Sequence, residues 1–534
     1  METLGKTRLL LIAITIAALA PFLNKAFHVD DPLFLWIAQQ IAKHPLDPYG
    51  FDVNWSSFMR PMADEMQNPP LCSYYIVAVT SVFGWSELAL HVAFLIWPVL
   101  SILGTFALAR RFCREPFVAA LLTLLTPVFL VSATNVMSDV MLLAFWTWAI
   151  EFWLRGLDRQ SSWRFIVSAL LISAALLTKY FGVALVPLLG IYTVARERRL
   201  TFKLLYLLVP IAVVSNYDFA TAEKYGRGLF SAALGASSSI SSATRPSHTA
   251  QLLIGLAFAG GCLFTAVFFL PIWRKRILLP AAIGFIVLAM AVKFLILSCV
   301  YLDAPEGPVW IQGGLFAPLA AGILWLAITH FVREKNPDAL LLALWITGTF
   351  CFATFLNWSI TARTFLPLVP PVAILTVRQF TNAHARFWPK AWRLAACAGL
   401  ALLIAAADYW QANSARTAAE FFKQRYVIEP NKVRFLGHWG FQYYMQQWGA
   451  KPFDRNDPKI ANGGIVVGPF NDTNFARVAI GEISKREEFS FEVLPLVSVS
   501  ALGCGANFYS SFGGPLPWVI NKVPPDRYYA ITAK

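Results

Sequence analysis

The sequence predicts an all-α polytopic membrane domain of about thirteen spanning helices, followed by a small C-terminal soluble α/β domain. Three observations carry this. The chain of 534 residues is 57% hydrophobic and only 14% charged, with a mean hydropathy of +0.57, whereas a soluble chain carries roughly a quarter of its residues as Asp, Glu, Lys and Arg. Its basic residues gather in alternate gaps between apolar segments. Its composition turns abruptly polar after Asp408.

Apolar segments of spanning length fall near 9–27, 87–110, 116–135, 139–155, 163–178, 181–195, 203–219, 250–271, 277–300, 311–331, 337–356, 364–378 and 391–408. One span needs roughly 20 apolar residues. Lys6 and Arg8 ahead of the first segment also fit a signal peptide. The sequence favours an uncleaved first helix, because the segments after it need a spanning partner.

With the N-terminus inside, the loops after the even-numbered helices contain Arg110/Arg111/Arg114, Arg155/Arg159/Arg164, Arg196/Arg198/Arg199/Lys203, Arg274/Lys275/Arg276, Arg333/Lys335 and Arg378/Arg386/Lys390/Arg393. Every one is basic, as cytoplasmic loops are. Short outer loops carry few bases, chiefly Lys179 and Arg363. The net charge of +14 is therefore an orientation signal, and nucleic-acid binding is excluded. The seven cysteines include no CxxC pair and no zinc spacing. A Cys72–Cys504 bridge is left open.

Residues 1–408 thus form the membrane domain, with long outer loops at 28–86 and 216–249, the second holding the polar run Ser237–Ser242. An odd helix count sends residues 409–534 outside as the soluble domain. Helical patterns near 412–425 and 439–448 and strand-like runs at 464–467 and 489–499 mark it as α/β. Both a plain cap and a substrate-binding role fit it.

The first outer loop opens with His28-Val29-Asp30-Asp31-Pro32. Adjacent carboxylates at the membrane surface are partly desolvated, which raises their basicity and suits them to deprotonating an acceptor. A helix start fits the same residues, since Pro favours the first helical position. Asp139 follows Ser138 at the outer end of the fourth helix and fits either an acceptor-orienting acid or a helix cap. Lys179 and Arg363 are cations at outer membrane edges, which suits binding a phosphate and stabilising it as a leaving group. Snorkelling to the interface is the other reading. Glu65, His28 and Tyr180 are further candidates for substrate contact.

The acidic pair after the first helix, Asn68-Pro69-Pro70, Ser138-Asp139, Thr178-Lys179-Tyr180 and Arg363-Thr364-Phe365-Leu366-Pro367 occur in that order. The series resembles the GT-C glycosyltransferases of the protein O-mannosyltransferase and lipid A aminoarabinose transferase group, across about the first 380 residues. The resemblance implies that Asp30 is the general base, that Asp31 stands where the group usually has Glu, and that Asp139 is the second acid. It implies donor-phosphate binding by Lys179 and Arg363, and leaves a divalent cation open as cofactor. Its partners are a polyprenyl-phosphate-linked sugar donor, an acceptor lipid, glycan or protein, and the bilayer.

The expected activity is transfer of a hexosyl or pentosyl unit with inversion at the outer membrane face. The expected setting is a bacterial inner membrane, with a cytoplasmic N-terminus and a periplasmic C-terminal domain. A transporter or flippase of a lipid-linked or anionic substrate is the rival. It would show internal repeats and paired broken helices, and neither is evident. A catalytically dead scaffold is a third reading.

Overall fold

The computed structural model describes residues 2–66, 68–239, 247–270, 275–295, 302–383, 388–426, 432–457, 460, 463–472 and 483–533. Helix α1 (Glu2–Leu19) leads through a short turn to α2 (Asp31–Lys43), which starts the first long loop. That loop is ordered: a hairpin of β1 (Asp52–Asn54) and β2 (Met59–Pro61), then α3 (Met62–Glu65) and the apolar α4 (Leu71–Phe83). Helices α5 (Glu87–Phe94) and α6 (Ile96–Phe112) form one span.

The segment near 116–135 is not one straight helix. It breaks into α7 (Pro116–Leu124) and α8 (Pro127–Ala133), bent by 63°. Pro127 lacks an amide hydrogen, and Thr126 before it is extended, so the α-helical ladder stops there.

Helices α9 (Ser138–Arg159), α10 (Ser162–Thr178) and α11 (Leu185–Glu197) cross back and forth, α9 packing on both α6 and α10. The predicted loop 216–249 is largely helical among the described residues. Helix α12 (Leu208–Tyr225) runs past its expected end, and α13 (Leu229–Ser239) follows. Gly226 stops α12 in the left-handed conformation that glycine adopts freely. Residues 240–242 of the serine run lie outside the described residues.

The remaining membrane helices are α14 (His248–Cys262), α15 (Lys275–Leu295), α16 (Glu306–Glu334), α17 (Pro337–Cys351), α18 (Val369–Ala383) and α19 (Trp388–Arg425). Among the described residues, seven helices are long and apolar enough to span a bilayer, or eight with the bent pair, and four shorter apolar helices accompany them. The chain is an integral, multi-pass membrane protein.

Helix α9 shows how its ends are marked. Its 22 residues rise ~33 Å, about the thickness of a bilayer core. At its C-terminal end, Asp158 accepts from Arg111 (2.5 Å) and Arg196 (2.6 Å), Arg111 also faces Asp338 (3.5 Å), and Arg378 pairs with Glu334 (3.1 Å). These contacts bring five of the six basic loops to one end of the bundle. The other contains Arg274, outside the described residues.

Helix α19 passes through position 408 unbroken. Beyond it lie β3 (Val433–Phe435), α20 (Trp439–Trp448), β4 (Lys451–Pro452), β5 (Ile465–Pro469), β6 (Ile483–Phe491), β7 (Val497–Ser498), β8 (Val519–Ile520) and β9 (Asp526–Ala533). Five strands form a mixed sheet in the order β4-β3-β5-β9-β6. It packs Val433, Phe435, Val467 and Tyr528 against Phe422 of α19 and Phe441 of α20. The stretch from β7 to β8 leaves this sheet. Val497, Phe508, Tyr509 and Trp518 are buried in the same apolar core as the membrane helices, and the Trp518 indole N–H donates to Gly261 O at 2.9 Å. Cys72 and Cys504 are both buried free thiols, so no bridge joins them.

Candidate active site

At the opposite end of α9, two acids and two bases from four parts of the chain meet. Arg363 lies in a short helical turn (Ala362–Leu368) that Thr361 caps by accepting from the Thr364 amide at 3.2 Å. Arg363 Nη2 donates to Asp30 Oδ2 at 2.7 Å, and its Nη1 lies 3.7 Å from Asp139 Oδ2. Lys179 Nζ donates to the other oxygen, Asp139 Oδ1, at 2.6 Å. Lys179 ends α10 in an extended conformation, which turns its side chain off the helix axis toward α9. A guanidinium has five N–H donors. Arg363 uses one on Asp30 and one on the Met137 thioether (3.0 Å), while its buried Nε has no hydrogen-bond partner among the described residues. The cluster thus retains donor capacity for an anion.

The adjacent acids of the first loop have different surroundings. Val29 is at φ 46°, an unusual value for a β-branched residue, and the Asp31 amide closes a turn onto His28 O at 3.0 Å. This twist sends the two carboxylates apart. Asp30 makes no helix cap; it faces Arg363 with 30% of its side chain exposed. Asp31 is wholly buried, accepting from the His28 amide (2.8 Å) and, across the fold, from the Val136 amide (2.9 Å). Burial pushes the Asp31 carboxyl up to about 7, against the pull of these two amides and of Lys25. Its surroundings are those of a strut tying the first loop to the start of α9, and it has no route to solvent. Asp139 lies in the first turn of α9, and both of its oxygens face cations.

Of the other candidates, Glu65 and Tyr180 lie apart from this cluster, whereas His28 lies just behind it, its Nε2 3.8 Å from Asp408 Oδ1 and its ring edge-on to Tyr509. Glu65 pairs locally with Arg60 at 3.3 Å. Tyr180 donates to the Tyr217 hydroxyl at 3.4 Å and packs on Phe230. His28 is buried, which lowers its pKa to about 4, so its imidazole is neutral and offers a phosphate no charge. Among the described residues no group of three or more His, Cys, Asp and Glu side chains is arranged as metal ligands. Asp30 and Asp139 already hold cationic side chains, so the residues present do not make a carboxylate cage for a divalent ion.

Sequence reading missed a second cluster directly behind the first. Lys25 and Asp408, both fully buried, form an ion pair. Lys25 also donates to Thr134 Oγ1 (3.1 Å) and to Asn135 Oδ1. The Tyr509 hydroxyl lies 2.9 and 3.1 Å from the two Asp408 oxygens and accepts from Asn135 Nδ2 at 3.1 Å. The Tyr509 ring lies against Arg363, 5.2 Å from centroid to guanidinium carbon. One signal was available: Lys25 and Asp408 are lone opposite charges at the ends of apolar segments, and such charges need partners.

Comparison with known proteins agrees with this architecture. Residues 67–217 match the sequence family described as dolichyl-phosphate-mannose-protein mannosyltransferase. No curated protein matches the chain. Among solved structures, the oligosaccharyltransferase of Archaeoglobus fulgidus, tethered to an acceptor peptide containing the NVT sequon, superposes with a TM-score of 0.50 at 13% identity. The match covers 84% of this chain and 64% of the archaeal one. The chain therefore spans just under two thirds of that protein's length, and the two share the GT-C membrane fold. ArnT from Cupriavidus metallidurans in its apo state gives a TM-score of 0.45 at 16% identity, covering 88% of this chain and 93% of the other.

Proposed function

We propose that the protein is a glycosyltransferase that takes a hexosyl or pentosyl unit from a polyprenyl-phosphate donor and passes it, with inversion, to a lipid, glycan or protein acceptor. The reading places the reaction at the outer membrane face, with the N-terminus cytoplasmic and the C-terminal region periplasmic in a bacterial cell. The observation that supports it most is Arg363 standing between Asp30 and Asp139 with an unspent Nε donor. The matched sequence family, named for a dolichyl-phosphate-mannose donor, points to the same donor chemistry.

In this reading the donor phosphate draws Arg363 and Lys179 toward its oxygens. Arg grips phosphate in two-pronged fashion and Lys adds a point charge. Asp30, released from Arg363, takes the proton of the acceptor hydroxyl or amine. The acceptor atom forms a bond to the anomeric carbon as the bond from that carbon to the phosphate oxygen breaks. The electron pair stays on the phosphate, where Arg363 and Lys179 stabilise the added charge. Asp139 holds both cations in register between turnovers. A lipid carrier needs no nucleotide sugar on that side of the membrane.

The test uses radiolabelled polyprenyl-phosphate sugar in vesicles containing the purified protein. Label reaching an acceptor supports the reading. Label crossing the bilayer intact identifies a flippase and overturns it.

A further inference from the structure

We infer that Tyr509, carried by the C-terminal segment, is a positioning residue for Arg363 and so completes the anion site. The inference rests on Arg363 binding the donor phosphate as proposed above. Three sets of observations support it. The segment is fastened beside Arg363 by the backbone: Ala362 N–H donates to Phe508 O (2.9 Å) and Ser511 N–H to Ile360 O (2.8 Å). The Ser359 and Ser510 hydroxyls meet at 2.8 Å.

Tyr509 itself is held at both ends. Its amide donates to Asn507 Oδ1 at 2.9 Å, and its hydroxyl is fixed by Asp408 and Asn135. Asp408 is neutralised by Lys25, so this anchor does not draw the guanidinium away. The ring, 5% exposed, then presents its face to Arg363 at 5.2 Å.

The physical role follows from how each contact depends on direction. A hydrogen bond to Asp30 must break when Arg363 turns to a phosphate. Attraction to an aromatic face does not use the N–H donors and persists while those donors change partners. The ring is a rail along which the guanidinium exchanges a carboxylate for a phosphate without losing its place. Among the described residues, Tyr509 is the aromatic ring whose face meets Arg363.

The test is equilibrium binding of undecaprenyl phosphate and of undecaprenol to the full-length protein in nanodiscs. Wild type is expected to prefer the phosphate, and Arg363→Ala to lose that preference. Tyr509→Leu is expected to weaken phosphate binding about tenfold while leaving undecaprenol unchanged, and Tyr509→Phe to restore most of the preference. If wild type shows no preference for the phosphate, the donor reading fails. If wild type and Arg363→Ala behave as expected but Tyr509→Leu binds phosphate normally, or loses both lipids equally, the role assigned to Tyr509 is overturned. Tyr509→Met, equally without a π face, is measured in the same way should the leucine variant not fold.

Discussion

Asp30 and Asp31 show how far one residue step can separate two chemistries. Asp30 is partly open and held by Arg363, whereas Asp31 is sealed between two backbone amides. Replacing Asp30 with Asn keeps the size and removes the base. Transfer is expected to fall by about 10²- to 10⁴-fold while the melting temperature stays near wild type, read by a radiolabel transfer assay beside a thermal shift. Unchanged turnover would remove the base. Asp31 has a different signature. Its carboxyl titrates near 3.8 when exposed and at about 7 when folded. Between those values the unfolded chain has released a proton that the folded chain keeps. This group's contribution to stability is thus complete below about pH 4 and is lost as the pH rises through 7, by at most ~1.4 kcal/mol per pH unit. Melting temperature should fall more steeply from pH 5 to 8 in wild type than in Asp31→Asn. Parallel slopes would place the titration elsewhere.

At the scale of elements, the site depends on close approaches of backbone. Lys179 is aimed by the turn Tyr180–Ala184, which folds back onto α10 at Gly182. A Cβ at that position would stand 2.6 Å from the Ala175 carbonyl carbon and the Leu176 nitrogen, both backbone atoms that cannot step aside. Gly182→Ala is therefore expected to push the turn off the helix end, costing about 1–3 kcal/mol and drawing Lys179 away from Asp139. A thermal shift and the donor KM would register the two effects, and an unperturbed KM would show that Lys179 is aimed by other means. The bend between α7 and α8 matters similarly. It ends α8 where Asn135 and the Val136 amide face Lys25 and Asp31, positions that a straight helix would carry past them.

For the whole molecule, the bundle has two charged ends joined by α9, one rich in Arg–carboxylate pairs from the basic loops and one bearing the candidate site. Single cysteines at the exposed positions Arg60 and Arg198 are expected to react with an impermeant reagent from opposite sides of sealed vesicles. Labelling from one side would contradict the arrangement. The C-terminal region adds a second consequence. Because Phe508, Tyr509 and Trp518 lie in the core of the membrane helices, a chain ending at Arg425 would expose that part of the apolar core. It is expected to purify as an aggregate or to lose a cooperative melt, whereas a free-standing cap could be removed without harm.

The bilayer setting, the alternation of basic loops, the α/β character of the C-terminal region and the four charged residues that the fold brings together as the candidate site were all legible in the chain. Hydrophobic length, loop charge and lone cations at membrane edges are local signals, and each is expressed within one segment. The break at Pro127, the divergence of Asp30 from Asp31 and the Lys25–Asp408–Tyr509 cluster were decided by packing. Lys25 and Asp408 lie 383 residues apart, and the contacts that make each charge tolerable in an apolar interior exist only after the helices and the C-terminal segment have closed around them.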